Sequence, residues 1–282
     1  MRRLTLWALL GLALSGCSRV QMAWRFGPWL MERDAAEELG WPGARRPALK
    51  AAVRGWAHQA ARTVLPAVAD QARLAAARIA AGSDAQAADA LFNGGLAAWQ
   101  GCLTLAVAPA AALLAEAPLD RAAALERSFA SKDQKDALRW GDPDHSAVDQ
   151  AKRLMATFKD YCGEPTDAQG PLIVAWARDA AFPGPAYLAW RRARHRALLD
   201  ELRGGAQPQR LQALLQDYWL DQASQDKALK NALNGYRDRL RKSLVALLKS
   251  LTPDQRALLT QRLEALAQDL GAVVAQAQAD PS

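Results

Sequence analysis

Apolar and polar positions along this 282-residue chain alternate with the period of an α-helix almost throughout. Leu49, Val53, Trp56, Ala60 and Val64 recur at steps of four, three, four and four, one face of a helix that starts near Pro47. Pro66 should kink this helix and Gly82 should end it, and Ser83 with Gln86 has capping-box spacing for the next. Residues 119–140 are charged and predict one or two short helices, followed by a turn at Gly141–Asp144. Val148, Ala151, Met155, Phe158 and Cys162 make a second stripe that Gly163 closes. Thr166 to Gln169 opens another helix, with Trp176 on its buried face. Tyr187, Trp190 and Leu198 belong to a helix between the Pro183/Pro185 break and Gly204-Gly205, and a further helix covers Arg210–Leu220.

The most regular stripe is Leu229, Leu233, Tyr236, Leu240, Leu244, Leu247 and Leu251. A last helix then carries Leu259, Leu263, Leu266, Leu270 and Val273. Between them Thr252 is suited to cap, Pro253 to the first helical position and Gln255 to closing a capping box, so the pair reads as an αα-hairpin. No segment shows strand alternation. The prediction is an all-α fold, an irregular bundle of roughly eight to ten helices, with the helical domain over residues 47–278. It forms one unit or two halves, about 47–163 and 166–278. Residues 90–115 hold no charged side chain, yet Asn93, Gln100, Thr104, Pro109 and three glycines interrupt them. This stretch reads as a buried, kinked core helix rather than a membrane span.

The first residues follow a different pattern, MRRLTLWALLGLALSGC. Arg2 and Arg3 precede an apolar run from Leu4 to Leu14 that is too short to span a bilayer, and Ser15-Gly16 supplies small residues before Cys17. That is the layout of a secretory signal over residues 1–16. Leu14-Ser15-Gly16-Cys17 also resembles the bacterial lipoprotein cleavage box, which implies a diacylglycerol thioether on Cys17, cleavage before it and further acylation. Ser18 then favours the periplasmic leaflet of the outer membrane over the inner membrane. In the segment 17–46, Gly27-Pro28 predicts a turn that folds Trp24, Phe26 and Trp29 onto the domain, with the lipid interface beside the anchor as the alternative place for these rings, and Trp41-Pro42-Gly43 predicts a second break.

An apolar content of 51% and a mean hydropathy of −0.17 describe a chain with a sizeable core. Its net charge of +7 becomes +5 once Arg2 and Arg3 are removed, which suits an ordinary surface and permits attraction to anionic lipid or polymer. Two basic clusters are candidates for such a contact: Arg191, Arg192, Arg194 and Arg196 beside Trp190, and Lys230, Arg237 and Arg241 on one helix face. Nucleic acid is excluded as a partner by the compartment that Cys17 implies. That compartment also permits disulfides, so Cys102 and Cys162 read either as a bridge or as two unbonded core thiols.

Chemistry is hard to place. His58, His145 and His195 are far apart in sequence and lie at no zinc spacing. Asp142, Asp144, His145 and Asp149 read as a polar turn and the start of a helix rather than a metal site. No nucleophile elbow or phosphate loop is present, so neither catalytic residues, nor a metal, nor a cofactor is predicted.

The opening SGCSRVQMAW, the segment IVAWARDAAFPGPAYLAWRRARHRALLDELR (173–203) and the closing LKSLTPDQRALLTQRLEALAQDL (248–270) together resemble a family of proteobacterial lipoproteins of unknown function. The resemblance implies a helical, lipid-anchored protein facing the periplasm and no established activity. The motif Leu251, Thr252 and Gln255 at the hairpin bend also resembles the LTxxQ signature of periplasmic stress chaperones of the Spy and CpxP type. The chain therefore reads as a non-enzymatic envelope protein that binds an envelope protein, anionic lipid or cell-wall polymer. A chaperone-like binder of unfolded clients and a cell-wall hydrolase are the alternatives.

Overall fold

The computed structural model describes residues 19–38, 41, 43–116, 121–179 and 182–279. Eleven α-helices follow one another there: α1 (Arg19–Glu38), α2 (Arg46–Thr63), α3 (Leu65–Ala80), α4 (Asp84–Ala115), α5 (Arg121–Gly141), α6 (Pro143–Cys162), α7 (Gln169–Asp179), α8 (Gly184–Arg203), α9 (Pro208–Gln216), α10 (Lys227–Lys249) and α11 (Pro253–Ala279). A single 3-10 turn precedes α2, and a π-helical turn (Asp217–Asp221) follows α9. The fold is all-α, and no strand occurs among the described residues.

The helix count exceeds the expected eight to ten for two reasons. Pro66 does not kink one helix but begins another, because the chain breaks at Val64 and places the proline in the first turn of α3. Gly27-Pro28 makes no turn either. It sits inside α1, where the lost N–H of Pro28 costs one helical bond without ending the helix. Gly82 ends α3 as expected. At φ +71° its N–H reaches the Ile79 carbonyl, and Ser83 N–H reaches the Arg78 carbonyl, the double closure that satisfies two orphan carbonyls. Ser83 occupies the cap position of α4, but its hydroxyl makes no capping bond. Residues 119–140 yield the single helix α5.

Alanines set the closest contact. Ala69, Ala72, Ala75 and Ala76 line α3, and against them lie Leu263, Ala267, Leu270 and Val273 of α11. Short side chains let the two axes approach. One core unit joins α3 and the start of α4 to Phe158 and Cys162 of α6, Ile173 of α7, Leu248 and Leu251, and the leucines of α11. Another joins Val107, Ala111 and Leu114 of α4 to α5, α8 and α9. Segments 47–163 and 166–278 both contribute to these clusters. Every buried cluster among the described residues is built from residues 20–277, so the chain from Ser18 onward carries all of this core.

The hairpin bend is an anchoring point. Gln255 N–H donates to Thr252 Oγ1 (3.2 Å) and Thr252 N–H donates to Gln255 Oε1 (3.0 Å), a complete capping box. Half of that arrangement recurs at Thr166, whose N–H donates to Gln169 Oε1 (2.9 Å) while Gln169 N–H donates to the Thr166 carbonyl (3.0 Å). The two glutamine side chains then bond to each other amide to amide, at 2.7 and 3.0 Å. Their amide nitrogens also reach the carbonyls of Ser250 (2.8 Å) and Glu164 (2.9 Å). Arg256 completes the anchor by donating to both carboxylate oxygens of Asp84 and to the carbonyls of Ile79 and Leu248.

Candidate functional site

Residues 90–115 do not form a buried core helix. They belong to α4, a helix of 32 residues, and only 11% of its most apolar 18-residue window is buried. By length and composition it is the one described helix that could cross a membrane. Its two ends are packed, through Ala87, Ala88 and Ala90 at the start and Val107, Ala111 and Leu114 at the finish. The stretch between them is the back wall of an open cleft of about 890 Å³. Absence of charge in 90–115 is therefore the signature of a cleft wall.

α1 contributes Met31 and Ala35 to the cleft, α2 contributes Leu49, Val53 and Trp56, and α4 contributes Trp99, Cys102, Leu103, Ala106 and Ala110. The Trp56 indole N–H donates to the Cys102 carbonyl (2.9 Å) and ties α2 to α4. α5 and α8 close the other side with matched stripes. Leu125, Phe129, Lys132 and Asp136 face the cleft at steps of four, three and four, and Arg191, His195 and Leu198 at steps of four and three. Each stripe is apolar at one end and charged at the other, so the cleft has an apolar body and a polar end. The π-helical turn after α9 adds Tyr218 and Trp219. Asp217 fixes that turn by accepting from Ser224 N–H and Oγ–H and from Arg194.

The polar end is a connected network. Arg191 donates to Asp133 (2.6 and 3.0 Å) and pairs with Asp136 (2.8 Å), and its guanidinium lies over the Trp140 ring at 5.5 Å. Arg192 reaches the other oxygen of Asp133 at 3.3 Å. Trp140 packs so tightly on the start of α8 that a Cβ at Gly184 would come within 2.3 Å of its own Cβ, and only glycine fits there. His195 is 7% exposed, stacks on Phe129 at 3.7 Å and holds Tyr218 Oη at 3.0 Å from Nε2. Its Nδ1 is buried with no hydrogen-bond partner, 3.8 Å from Asp133 Oδ2. The arrangement that suits both contacts has the tyrosine hydroxyl donating to Nε2 and the imidazole proton on Nδ1, facing the carboxylate.

Electrostatics set what this end can do. Burial, opposed by Asp133 and reinforced by Arg191 and Lys132, pushes His195 down to about 4. Burial also holds the Tyr218 hydroxyl well above its ordinary range. A neutral imidazole that resists protonation is a weak base, and a phenol kept protonated is a weak nucleophile. The arrangement offers hydrogen bonds and charge more than proton transfer. Among the charged lining residues, the cations Lys132, Lys135 and Arg191 face the single carboxylate of Asp136.

Acids from distant helices meet most residues of the two basic clusters. Arg191 and Arg192 pair with Asp133, Arg194 pairs with Asp217 (3.2 Å), and Arg241 pairs with Asp89 of α4. Lys230 caps the Ala223 carbonyl. Arg196 is exposed and Arg237 half-buried. Leu251 and Gln255 are buried at the bend, away from the cleft. Cys17 and the 1–16 leader lie outside the described residues. Among the described residues no group of His, Cys, Asp and Glu is arranged to hold a metal ion.

Cys102 and Cys162 are free thiols, the first half-buried in the cleft and the second inside the core around Phe158. Burial raises both, Cys162 to about 11. Site-resolved alkylation with iodoacetamide at pH 7.5 should modify Cys102 slowly and Cys162 only after denaturation. Two unreactive cysteines in denaturant without reductant would instead reveal a bridge.

The cleft was invisible to sequence periodicity because it joins six separate stretches of chain. One signal did mark it: a 26-residue run without charge that contains an unpaired tryptophan, Trp99, which the structure leaves 63% exposed. No protein-family model matches the chain, nor does any curated protein or solved structure.

Proposed function

We propose that this chain is a lipid-anchored envelope protein, acylated at Cys17 and facing the periplasm from the outer membrane, whose task is binding rather than catalysis. Its cleft takes up an anionic amphiphile: an apolar chain along the wall of α4, and a carboxylate or phosphate head near Lys135. The observation that carries this reading is the pairing of an apolar cleft of about 890 Å³ with an excess of positive charge at one end. That volume falls within the range of sites for small organic ligands, and each methylene buried there is worth about 0.8 kcal/mol.

Three tryptophans of the cleft, Trp56, Trp99 and Trp219, provide the readout. A brominated fatty acid should quench their emission when added to the chain from Ser18 onward. Ala106→Phe fills the cleft and should weaken the fatty acid about tenfold or more, within the range a lost burial of a few methylenes gives. Lys135→Glu should weaken the carboxylate and leave the matching fatty alcohol unchanged. Quenching that ignores Ala106→Phe would refute the site. Prevention of aggregation of a model unfolded protein, blocked by Ala106→Phe, would make the occupant an apolar peptide instead and favour the chaperone reading. The LTxxQ-type motif lends that reading no support, since Gln255 is buried and fully engaged at the hairpin bend. Release of muropeptides from cell wall would support the hydrolase reading.

A further inference from the structure

α1 turns two different apolar faces outward. Val20 and Trp24 pack inward on α3 and α11, and Met31 and Ala35 line the cleft. A third stripe is exposed among the described residues. Phe26, Trp29 and Leu30, spaced as i, i+3 and i+4, are 54%, 57% and 41% exposed. This overturns the expected packing of Phe26 and Trp29 on the domain, since Pro28 continues the helix instead of turning it. Each ring carries a cation: the Arg25 guanidinium lies 6.0 Å from the Phe26 centroid, and that of Arg33 lies 5.4 Å from Trp29. Residues 19–34 hold Arg19, Arg25 and Arg33 against Glu32 and Asp34, and Asp34 pairs with Arg33 at 3.0 Å, which leaves Arg25 as the cation at the Phe26 edge.

We infer that the Phe26–Trp29–Leu30 face of α1 lies in the interface of a lipid bilayer that contains anionic lipid. Aromatic rings with arginines at their edges suit the headgroup boundary, where rings meet acyl chains and guanidinium groups meet phosphates. Position argues for a membrane over a second copy of the chain. α1 begins two residues after Cys17, and two extended residues reach about 7 Å. An acyl group on Cys17 therefore brings the start of α1 to the membrane surface. Trp29 follows ten residues later, about 15 Å along the helix, within reach of the interface if α1 lies flat. Met31 is the next residue but one and lines the cleft, so the cleft opens beside this face.

The positional part of this inference rests on acylation of Cys17, and the test separates the two. The chain from Ser18 onward, which has no acylation site, is mixed at millimolar lipid with vesicles of phosphatidylcholine containing 30% phosphatidylglycerol. Co-flotation is expected, with quenching by lipids brominated near the headgroup. Phe26→Ser with Trp29→Ser should lower partitioning at least tenfold while circular dichroism and the thermal midpoint stay unchanged, because both side chains are solvent-exposed. Absence of co-flotation, or equal co-flotation of the double variant, overturns the inference. A dimer in sedimentation equilibrium that the double variant disperses, without vesicle binding, assigns the face to a second copy and also overturns it. Incorporation of labelled palmitate by the full chain is scored separately, so a failed anchor and a failed α1 contact give different results.

Discussion

Gln255→Leu is expected to destabilise the protein by about 3–5 kcal/mol, since it strands several buried polar groups at once. Leucine has nearly the shape of glutamine, so little packing is lost. What is lost is the acceptor for Thr252 N–H, the donor to the Glu164 carbonyl, and both bonds to the Gln169 amide. Gln169 is 1% exposed and cannot turn to water for replacements. Equilibrium unfolding in urea measures the cost, and the full cycle with Gln169→Leu apportions it. The double variant should cost clearly less than the two single changes added together, because the amide pair disappears as a unit. Backbone groups at Thr166, Thr252, Glu164 and Ser250 still lose their partners, so it should not return to wild-type stability. A single-variant loss below about 1 kcal/mol would contradict the burial of this pair.

Acid should weaken the fold from about pH 6.5 downward. His195 is held down to about 4, below the ordinary value near 6.5 of an unfolded chain. Between those two values the unfolded state binds a proton that the folded state refuses. Stability therefore rises with pH across this window and is lost as pH falls from about 6.5 to about 4. A shift of this size corresponds to about 3 kcal/mol. Burial is the main cause of the shift, opposed by Asp133 and reinforced by Arg191 and Lys132, and Tyr218 also faces the imidazole. Asp89 and Asp217, whose carboxyls are held below their usual range by Arg241 and by Ser224 with Arg194, lose their contribution only at lower pH. His195→Gln should thus flatten the stability profile between pH 6.5 and 4 whatever its effect at neutral pH. Urea midpoints measured along that range decide it, and an unchanged slope in the variant would move the titration elsewhere.

Helical stripes and caps could be read from sequence because they are local. The stripe of α10, the capping box at Thr252 and the stop at Gly82 each depend on residues within about two turns. What escaped reading depended on distant partners. Arg191, Arg192 and Arg194 look like a surface cluster until Asp133, nearly sixty residues earlier, and Asp217 arrive beside them. Pro28 looks like a break, and it is the packing of Trp24 on α3 and α11 that pays for its missing bond. The apolar run 90–115 has the composition of a core helix, and only the arrangement of α1, α2, α5 and α8 around it leaves its middle open. The Thr166 motif carried its message in plain view, since both of the glutamines that pair follow a threonine by three residues.

The same helix that lines the cleft bears on the export proposed for this chain. α4 is long and apolar enough to halt in a membrane, and an exported chain must pass it through the secretion channel without lateral release into lipid. Alanine and glycine make up much of residues 94–112, with leucine sparse until Leu113 and Leu114. Insertion into a bilayer is driven mainly by the larger aliphatic side chains. A wall built of small residues can be charge-free for its ligand and still be a poor stop-transfer sequence. Enlarging those alanines to leucines would narrow the cleft and, in the same stroke, favour retention in the inner membrane.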